Sequence, residues 1–271
     1  MTSLEDKTII VTGAAGGFGQ LLCRDALQAG ANVVALDVDA DGLDAMTGES
    51  LLTIATDVTD LVAMKEAVAR ATESFGGVNV IVNNAGTMPL AFLADHEQAA
   101  DAWSRCIDIN VKGVLNGMIA VHDQMMRQGR GHVVNLSSIY GNAPVVGAAV
   151  YGATKAAVNV MSEAFRVETQ GVIKVTIVKP TGVPGTGLGA GVINPEAVVG
   201  ILGQNAAEYG AVFAALGEGR VDDVDLDPES VGYAVLDPQH IVDQILYAVG
   251  QPWGVSIGDI TIRAAGDRYI L

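Results

Sequence analysis

Thr12-Gly13-Ala14-Ala15-Gly16-Gly17-Phe18-Gly19 is the stretch that decides the fold of this chain. Residues 7–12 form a β-branched run typical of a strand buried on both faces, and residues 18–29 have the apolar spacing of a helix. Glycines between a strand and a helix let the backbone turn sharply and approach a phosphate at the positive end of the helix. The stretch therefore predicts a dinucleotide-binding turn, and the alternative is a tight structural turn.

The rest of the chain repeats this alternation of strand and helix. Further strands are predicted at 32–36, 51–56, 78–83, 131–136, 174–178 and 257–262, and further helices at 60–75, 99–127, 150–170 and 238–249. Continuous apolar strands between helices are typical of parallel βαβ units, whose right-handed crossovers produce a doubly wound sheet. We predict an α/β fold of the Rossmann type, a parallel sheet of about seven strands with helices on both faces. No linker or repeat divides the sequence, so residues 1–271 are expected to form a single domain.

A long segment after the strand at 174–178 interrupts the alternation. It begins with a glycine-rich run at 180–191, and Asn194-Pro195-Glu196 then indicates the start of a helical stretch that ends near residue 216. A long insertion at the carboxyl end of a strand overhangs the binding crevice of such a sheet, so residues 184–235 are predicted to form a helical lid; the alternative is a disordered loop. A run of acidic residues near its end is expected to be solvated surface: Asp222, Asp223, Asp225, Asp227 and Glu229.

The composition excludes several classes of protein. Half of the residues are apolar and 17% are charged, which excludes a disordered chain. The net charge of -16 argues against nucleic acid or an anionic membrane as a partner. Cys23 and Cys106 form no CxxC motif and no secretory signal is evident, so we expect a soluble cytoplasmic protein. The four histidines have no metal-ligand spacing, and no metal site is predicted.

Asp37 ends the second predicted strand, 18 residues after Gly19. A carboxylate in this place can accept hydrogen bonds from an adenosine ribose and repels a 2′-phosphate. No lysine or arginine lies beside it, because Val38 follows. The pattern favours NAD(H) over NADP(H), and the alternative is a solvated loop aspartate.

Tyr151 and Lys155 lie four residues apart, which places both on one face of the helix predicted at 150–170. A nearby ammonium favours the tyrosinate, so Lys155 is expected to lower the pKa of Tyr151. Tyr151 could then act as general acid toward a ketone or as general base toward an alcohol. Ser138, at the end of the strand 131–136, could hold the substrate oxygen against the tyrosine. For Tyr151 and Lys155 alone, the alternative is an exposed helix pair.

These motifs together resemble the single-domain branch of the short-chain dehydrogenase/reductase family, from about residue 5 to residue 262. The resemblance rests on the glycine stretch, Asn83-Asn84-Ala85-Gly86, Ser138, the Tyr151-x-x-x-Lys155 motif and Asn110. It implies that Ser138, Tyr151, Lys155 and Asn110 are catalytic, that Lys155 also binds the nicotinamide ribose, and that Asn110 holds a water linking the lysine to solvent.

The resemblance further implies a set of cofactor contacts around NAD: Gly13, Gly17, Phe18, Gly19, Asp37, Asp57, Val58, Asn84, Ala85, Gly86, Tyr151, Lys155, Pro180, Val183 and Thr186. The loop after the strand 174–178 departs from the family pattern. The family's Pro-Gly is here Pro180-Thr181, with the glycine delayed to Gly182, and Thr186 comes one place later than the usual threonine.

The residues expected around the substrate are mostly apolar: Ser138, Tyr140, Met88, Val145, Leu188 and further lid residues up to Leu216. They predict a lipophilic secondary alcohol or ketone as substrate, and the alternative is that the apolar lid residues only pack on the sheet. The expected function is that of an NAD-dependent alcohol dehydrogenase or carbonyl reductase. The alternative, an inactive dinucleotide-sensing or scaffold protein of the same fold, would have lost Ser138, Tyr151 or Lys155.

Assembly is implied by the resemblance as well. In the family, the helices at 99–127 and 150–170 pair across subunits, which implies a homodimer or homotetramer. An apolar patch of Ala156, Ala157, Val160 and Met161 is consistent with this, although these residues could also pack inside the subunit. The apolar tail Tyr269-Ile270-Leu271 is expected to dock on a neighbouring subunit.

Overall fold

A parallel sheet of seven strands, seen in a computed structural model that describes residues 4–220 and 224–271, forms the centre of the chain. The strand order is β3-β2-β1-β4-β5-β6-β7, and all neighbouring strands pair in parallel. The strands are β1 Thr8–Thr12, β2 Asn32–Asp37, β3 Leu51–Ala55, β4 Val80–Asn83, β5 Gly131–Leu136, β6 Ile173–Pro180 and β7 Asp259–Ile262. The predicted doubly wound sheet is therefore confirmed.

Helices cover both faces of the sheet. They are α1 Gly17–Gln28, α2 Ala40–Asp44, α3 Leu61–Phe75, α4 His96–Ile107, α5 Val114–Gln128, α6 Ala149–Glu168, α7 Val199–Leu202, α8 Ala206–Gly217 and α9 Pro238–Gly250. Apolar faces of α1 and α9 pack on one side of the sheet, and those of α3, α5 and α6 pack on the other. Fully buried side chains such as Ile10 and Ile81 each contribute about 1.5–3 kcal/mol of burial free energy.

Two helical details differ from the sequence prediction. The helix predicted at 99–127 is divided into α4 and α5 by a π-helical segment, Asp108–Gly113. The short helix α2 was not predicted; Asp39 caps it by accepting a hydrogen bond from the amide of Gly42 at 3.0 Å. Among residues 4–220 and 224–271, no helix combines the length and the apolar character needed to cross a membrane.

The segment after β6 is helical, as predicted. It begins with two 3-10 turns, Leu188–Gly191 and Pro195–Val198. Helix α7, a third 3-10 turn at Gly203–Asn205 and helix α8 then follow in that order. The Asn194 side chain accepts from the Glu196 amide at 3.0 Å, which confirms the predicted helix start. Asp225, Asp227 and Glu229 are exposed, as expected. Asp222 and Asp223 lie outside the described residues.

The sheet order places a switch point between β1 and β4. β1 pairs with β2 on one side and with β4 on the other. Strands β2 and β3 therefore extend the sheet in one direction from β1, and β4 to β7 extend it in the other. Ligands of doubly wound proteins bind at the carboxyl ends of the strands beside such a point. The glycine stretch and the segment 84–86 both lie there.

Candidate active site

A cavity of about 640 Å³ opens at the carboxyl ends of β1, β4, β5 and β6. Most residues predicted for the site line it: Gly13, Gly17, Phe18, Asp37, Asn84, Ala85, Gly86, Met88, Ser138, Tyr140, Tyr151, Lys155, Pro180, Val183, Thr186 and Leu188. Gly19, Asp57, Val58, Asn110 and Val145 do not line it. The structure thus brings the two predicted halves, a nucleotide turn and a Ser-Tyr-Lys group, into one cavity.

The glycine turn needs its glycines for steric reasons. Gly17 has a φ of +51°, a left-handed conformation that side chains rarely adopt, and a Cβ there would lie 2.7 Å from the carbonyl oxygen of Thr186. Gly19 lies behind the cavity wall, where its Cα packs against the backbone of Gly13. The turn therefore exposes bare backbone to the cavity at Gly17, while Gly19 allows α1 to pack closely.

Asp37 lies at the end of β2 and is fixed against the glycine turn. One carboxylate oxygen accepts from the amide of Ala15 at 2.9 Å, and the other accepts from the amide of Asp39 at 3.0 Å. Asp37 is therefore not a freely solvated loop residue. Asp57 is exposed and accepts from Thr59, whereas Val58 is buried and its carbonyl accepts from the Asn116 amide group at 2.8 Å.

Thr12 joins the two strands at the switch point. Its hydroxyl oxygen accepts from the backbone amides of Asn84 and Ala85 at 3.0 and 3.1 Å. The Asn84 side chain donates in return to the carbonyl oxygens of Thr12 and Gly13 at 2.9 and 3.1 Å. These bonds fix the edge of the crevice formed by β1 and β4.

Ser138, Tyr151 and Lys155 meet inside the cavity. Tyr151 and Lys155 lie on α6, with relative exposures of 3% and 5%, so the exposed-pair alternative is wrong. The Ser138 side chain lies close enough to the Tyr151 hydroxyl to influence its pKa. The Lys155 ammonium donates to the carbonyl oxygen of Leu136 at 2.8 Å and lies 5.7 Å from the centre of the Tyr151 ring.

Burial controls the protonation of this group. It lowers the pKa of Lys155 to about 8 and raises the pKa of Tyr151 above its ordinary value. Ser138 acts in the opposite direction on the pKa of Tyr151 but is the smaller effect. The expectation of a lowered Tyr151 pKa is therefore wrong: desolvation of the phenolate raises this pKa and outweighs the lowering by Ser138, and Lys155 is not among the groups that shift it. The Tyr151 phenol is therefore protonated at neutral pH.

Asn110 is fully buried behind the cavity wall, within the π-helical segment. Its side chain donates to the Thr87 carbonyl and accepts from the Thr87 amide, both at 2.9 Å. It also donates to the Thr154 hydroxyl at 3.1 Å, next to Lys155 in the chain. Asn110 thereby connects the loop after β4 to α6. A π-helical segment inside a longer helix is frequently found at functional sites.

The substrate side holds aromatic residues whose individual roles the sequence did not indicate: Tyr209 and Phe213 belong to the predicted lid, and Tyr269 belongs to the predicted tail. Tyr209 and Phe213 on α8 line the cavity and stack with ring centroids 4.4 Å apart, and Tyr269 lines it too. Tyr209 and Phe213 lie four residues apart, a spacing that could have indicated a shared face. Val145 lies under the lid near Gly200 instead of on the cavity wall.

The C-terminal tail packs on its own lid. The amide of Ile270 donates to the carbonyl oxygen of Ile201 in α7 at 3.0 Å. The tail thus has a partner within its own chain, and its docking on a neighbouring subunit stays a prediction. Residues far apart in sequence form the contact between Ile270 and Ile201, so no local pattern signals it.

Comparison with known proteins gives the family of the chain. The family described as short chain dehydrogenase matches residues 7–196, more than half of the chain. The chain belongs to the short-chain dehydrogenase family. It is similar to an uncharacterised oxidoreductase of Staphylococcus aureus, with 31% identity over 267 residues that cover 97% of this chain and 99% of the relative.

Two solved structures extend the comparison. A serine dehydrogenase from Escherichia coli is 25% identical, with a TM-score of 0.72 and coverage of 94% of this chain and 96% of the other. The closed form of a serine dehydrogenase complexed with NADP+ is 27% identical, with a TM-score of 0.76 and coverage of 94% of both chains. This short-chain dehydrogenase is thus an oxidoreductase of its family, and the resemblance stated from the motifs is confirmed.

Proposed function

We propose that this short-chain dehydrogenase transfers a hydride between NAD(H) and a lipophilic secondary alcohol or ketone, with Tyr151 as general acid or base. The observation that carries the proposal is that Ser138, Tyr151 and Lys155 are buried and line the same cavity as the glycine turn. An inactive sensor of the same fold has no need of a buried lysine, whose desolvation is unfavourable.

The residues present suit a nicotinamide dinucleotide. The bare backbone at Gly17 and the start of α1 would hold the pyrophosphate, Asp37 the adenosine ribose and Lys155 the nicotinamide ribose. When bound, the dinucleotide would supply the hydride donor or acceptor and, in its oxidised form, a positive charge. Pro180, Val183 and Thr186 lie where the loop after β6 borders the cavity.

The choice of NAD rests on Asp37. The carboxylate lies beside the turn, and Lys155, in the catalytic group, is the one lysine or arginine among the residues lining the described cavity. A 2′-phosphate would therefore meet a negative charge without a compensating cation. Because the similar serine dehydrogenase was solved with NADP+, the choice between NAD and NADP is the part of the proposal that most needs a test. We expect Asp37→Ala to shift the kcat/KM ratio toward NADPH, and a wild type that already prefers NADPH would contradict the argument.

Tyr151 reacts directly with the substrate in this scheme. In ketone reduction, its hydroxyl proton moves to the carbonyl oxygen, and Ser138 donates to the same oxygen to stabilise the developing charge. Lys155 favours the phenolate that remains. Tyr151→Phe should abolish NADH-linked turnover while NADH binding, followed by nucleotide fluorescence, is retained. Turnover by the Tyr151→Phe variant would refute the role of Tyr151.

We propose further that residues 184–235 act as a lid on the single domain, and that the protein is a cytoplasmic homodimer or homotetramer. Support for assembly comes from Val160 on α6, which is 71% exposed, and from Leu115 and Ile119 on α5, which are 41% and 38% exposed. Ala156 and Ala157 are partly exposed, whereas Met161 packs against the core. Sedimentation velocity of the wild type and of Val160→Glu tests this, because a charge at a buried subunit contact should dissociate the assembly. Both cysteines are buried and form no disulfide bond, which suits a reducing compartment.

A further inference from the structure

The last residues of the chain form a strap across the lid, defined here as residues 263–271. Arg263, which follows β7, binds the Asp267 carboxylate at 2.6 and 3.0 Å and so folds the strap back on itself. Three contacts then attach it to the lid: the Ile270 amide to the Ile201 carbonyl, the Asn205 side chain to the Arg268 carbonyl at 3.0 Å, and an ion pair between Arg268 and Glu208 at 2.9 Å. The strap is therefore fixed both to the sheet and to the lid.

Tyr269 in the strap occupies the space that Gly182 leaves free. A Cβ at position 182 would overlap the hydroxyl oxygen of Tyr269. Gly182 does not lie in the left-handed region, so its backbone alone does not require glycine. The delayed glycine in the loop after β6, which departs from the family pattern, thus has a steric reason: it admits the end of the Tyr269 side chain.

Tyr269 reaches the substrate side of the cavity. Its ring centroid lies 5.9 Å from that of Tyr209 on the lid, and the two hydroxyl oxygens are 3.5 Å apart. Phe213 stacks on Tyr209, and burial raises the pKa of Tyr269. Elsewhere on the cavity wall, Tyr140 packs edge-to-face on Tyr151 with centroids 5.4 Å apart. Aromatic rings from three separate parts of the chain, around Tyr140, Tyr209 and Tyr269, therefore line the cavity that also holds the proposed acid.

From this arrangement we infer that Tyr269 is a specificity-determining residue, and that the aromatic wall it completes selects ketones and alcohols that carry a flat aromatic ring. The inference rests on the proposed function and narrows its substrate class. Aromatic pairs gain energy from edge and face geometry that a puckered aliphatic ring of similar size cannot supply. Gly182 acts as a positioning residue, because its missing side chain allows Tyr269 to reach the wall.

The test compares acetophenone with cyclohexyl methyl ketone, which have the same carbon skeleton size but a flat and a puckered ring. We expect the wild type to prefer acetophenone in kcat/KM, and Tyr269→Ala to reduce that preference about five- to tenfold, mainly through KM, the size expected of one lost aromatic pair. Gly182→Ala should displace Tyr269 and reproduce this change. Combining Gly182→Ala with Tyr269→Ala should add little, because both act on the same ring. Tyr247→Ala, which removes a half-exposed tyrosine from α9 outside the cavity, is the matched control.

Equilibrium binding of the two ketones to each variant is measured in parallel, because it does not require turnover. A wild type that reduces no ketone with NADH or NADPH would refute the proposed function, and the binding ratio would still decide the role of Tyr269. An unchanged ratio in folded Tyr269→Ala, with folding checked by circular dichroism, would overturn the inference. Fully additive effects of Gly182→Ala and Tyr269→Ala would overturn it as well.

Discussion

Replacing Lys155 by methionine should abolish turnover and yet make the stability of the protein less dependent on pH. Burial lowers the pKa of Lys155 from 10.5 in the unfolded chain to about 8 in the folded one. One unit of pKa shift corresponds to about 1.4 kcal/mol, so holding the charged lysine in the fold costs about 3 kcal/mol. Methionine removes this cost but leaves the Leu136 carbonyl without its 2.8 Å donor, which costs about 1–3 kcal/mol.

The pH dependence separates the two effects. Below the folded pKa both states are protonated, and the full desolvation cost is present. Between the folded pKa of about 8 and the unfolded value of 10.5, the folded protein releases a proton that the unfolded chain keeps, so stability rises with pH. Lys155→Met lacks this rise, whereas its missing bond to Leu136 is independent of pH. We expect the stability difference between variant and wild type to move in favour of the wild type by about 2 kcal/mol between about pH 7 and pH 9.5.

Urea unfolding followed by circular dichroism at the two pH values gives this difference directly. Other titrating groups are common to both proteins and cancel in the comparison. Lys65→Met on the exposed face of α3 controls for the loss of a positive charge. A difference between Lys155→Met and wild type that stays constant over this range would refute the reasoning, since it would mean that the buried lysine keeps the same protonation folded and unfolded.

Three further changes test the framework of the site. Thr12→Val should cost about 2–4 kcal/mol in urea unfolding, because two backbone amides lose their acceptor, while Thr12→Ser should stay close to wild type. Gly17→Ala should weaken NADH binding about tenfold or more through its positive φ and the nearby Thr186 carbonyl. Gly254→Ala, at a position outside the cavity where an added Cβ has open space, is the matched control. Equal NADH affinities of Gly17→Ala and wild type would contradict the steric argument. Asn110→Ala should lower the unfolding midpoint through its lost buried bonds, and an unchanged midpoint would show that these bonds contribute nothing.

The sequence predicted the elements whose signals are local. The strand before Gly13 is a run of β-branched residues, and the helix carrying Tyr151 and Lys155 shows its periodicity within twenty residues. Parallel pairing then follows from crossover rules, and it brings the ends of β1, β4 and β5 together. For this reason most of the cavity wall could be predicted without coordinates.

Features that depend on distant parts of the chain could not be predicted. The π-helical segment Asp108–Gly113 differs from the flanking α-helices in which backbone groups hydrogen-bond to each other, and the spacing of apolar residues does not reveal this pairing. The contact of Tyr269 with Gly182 joins residues that share no local pattern. Val145 was expected at the cavity wall but packs under α7. Which of these a loop residue does depends on the position of the whole lid.

The direction of the pKa shift of Tyr151 also depends on distant parts of the chain, and it affects which reaction direction the site would suit. Sequence spacing reports a neighbouring charge, but the extent of burial is a collective property of the fold, and here burial wins. The same burial leaves Tyr151 protonated and Lys155 charged at neutral pH, since the lysine titrates near pH 8. A protonated phenol beside Ser138 is ready to donate to a carbonyl oxygen, whereas accepting a proton from an alcohol first requires the phenolate. If Tyr151 has its proposed role, these protonation states suit proton donation to a ketone at neutral pH, and alcohol oxidation would need higher pH or an additional positive charge beside the phenol.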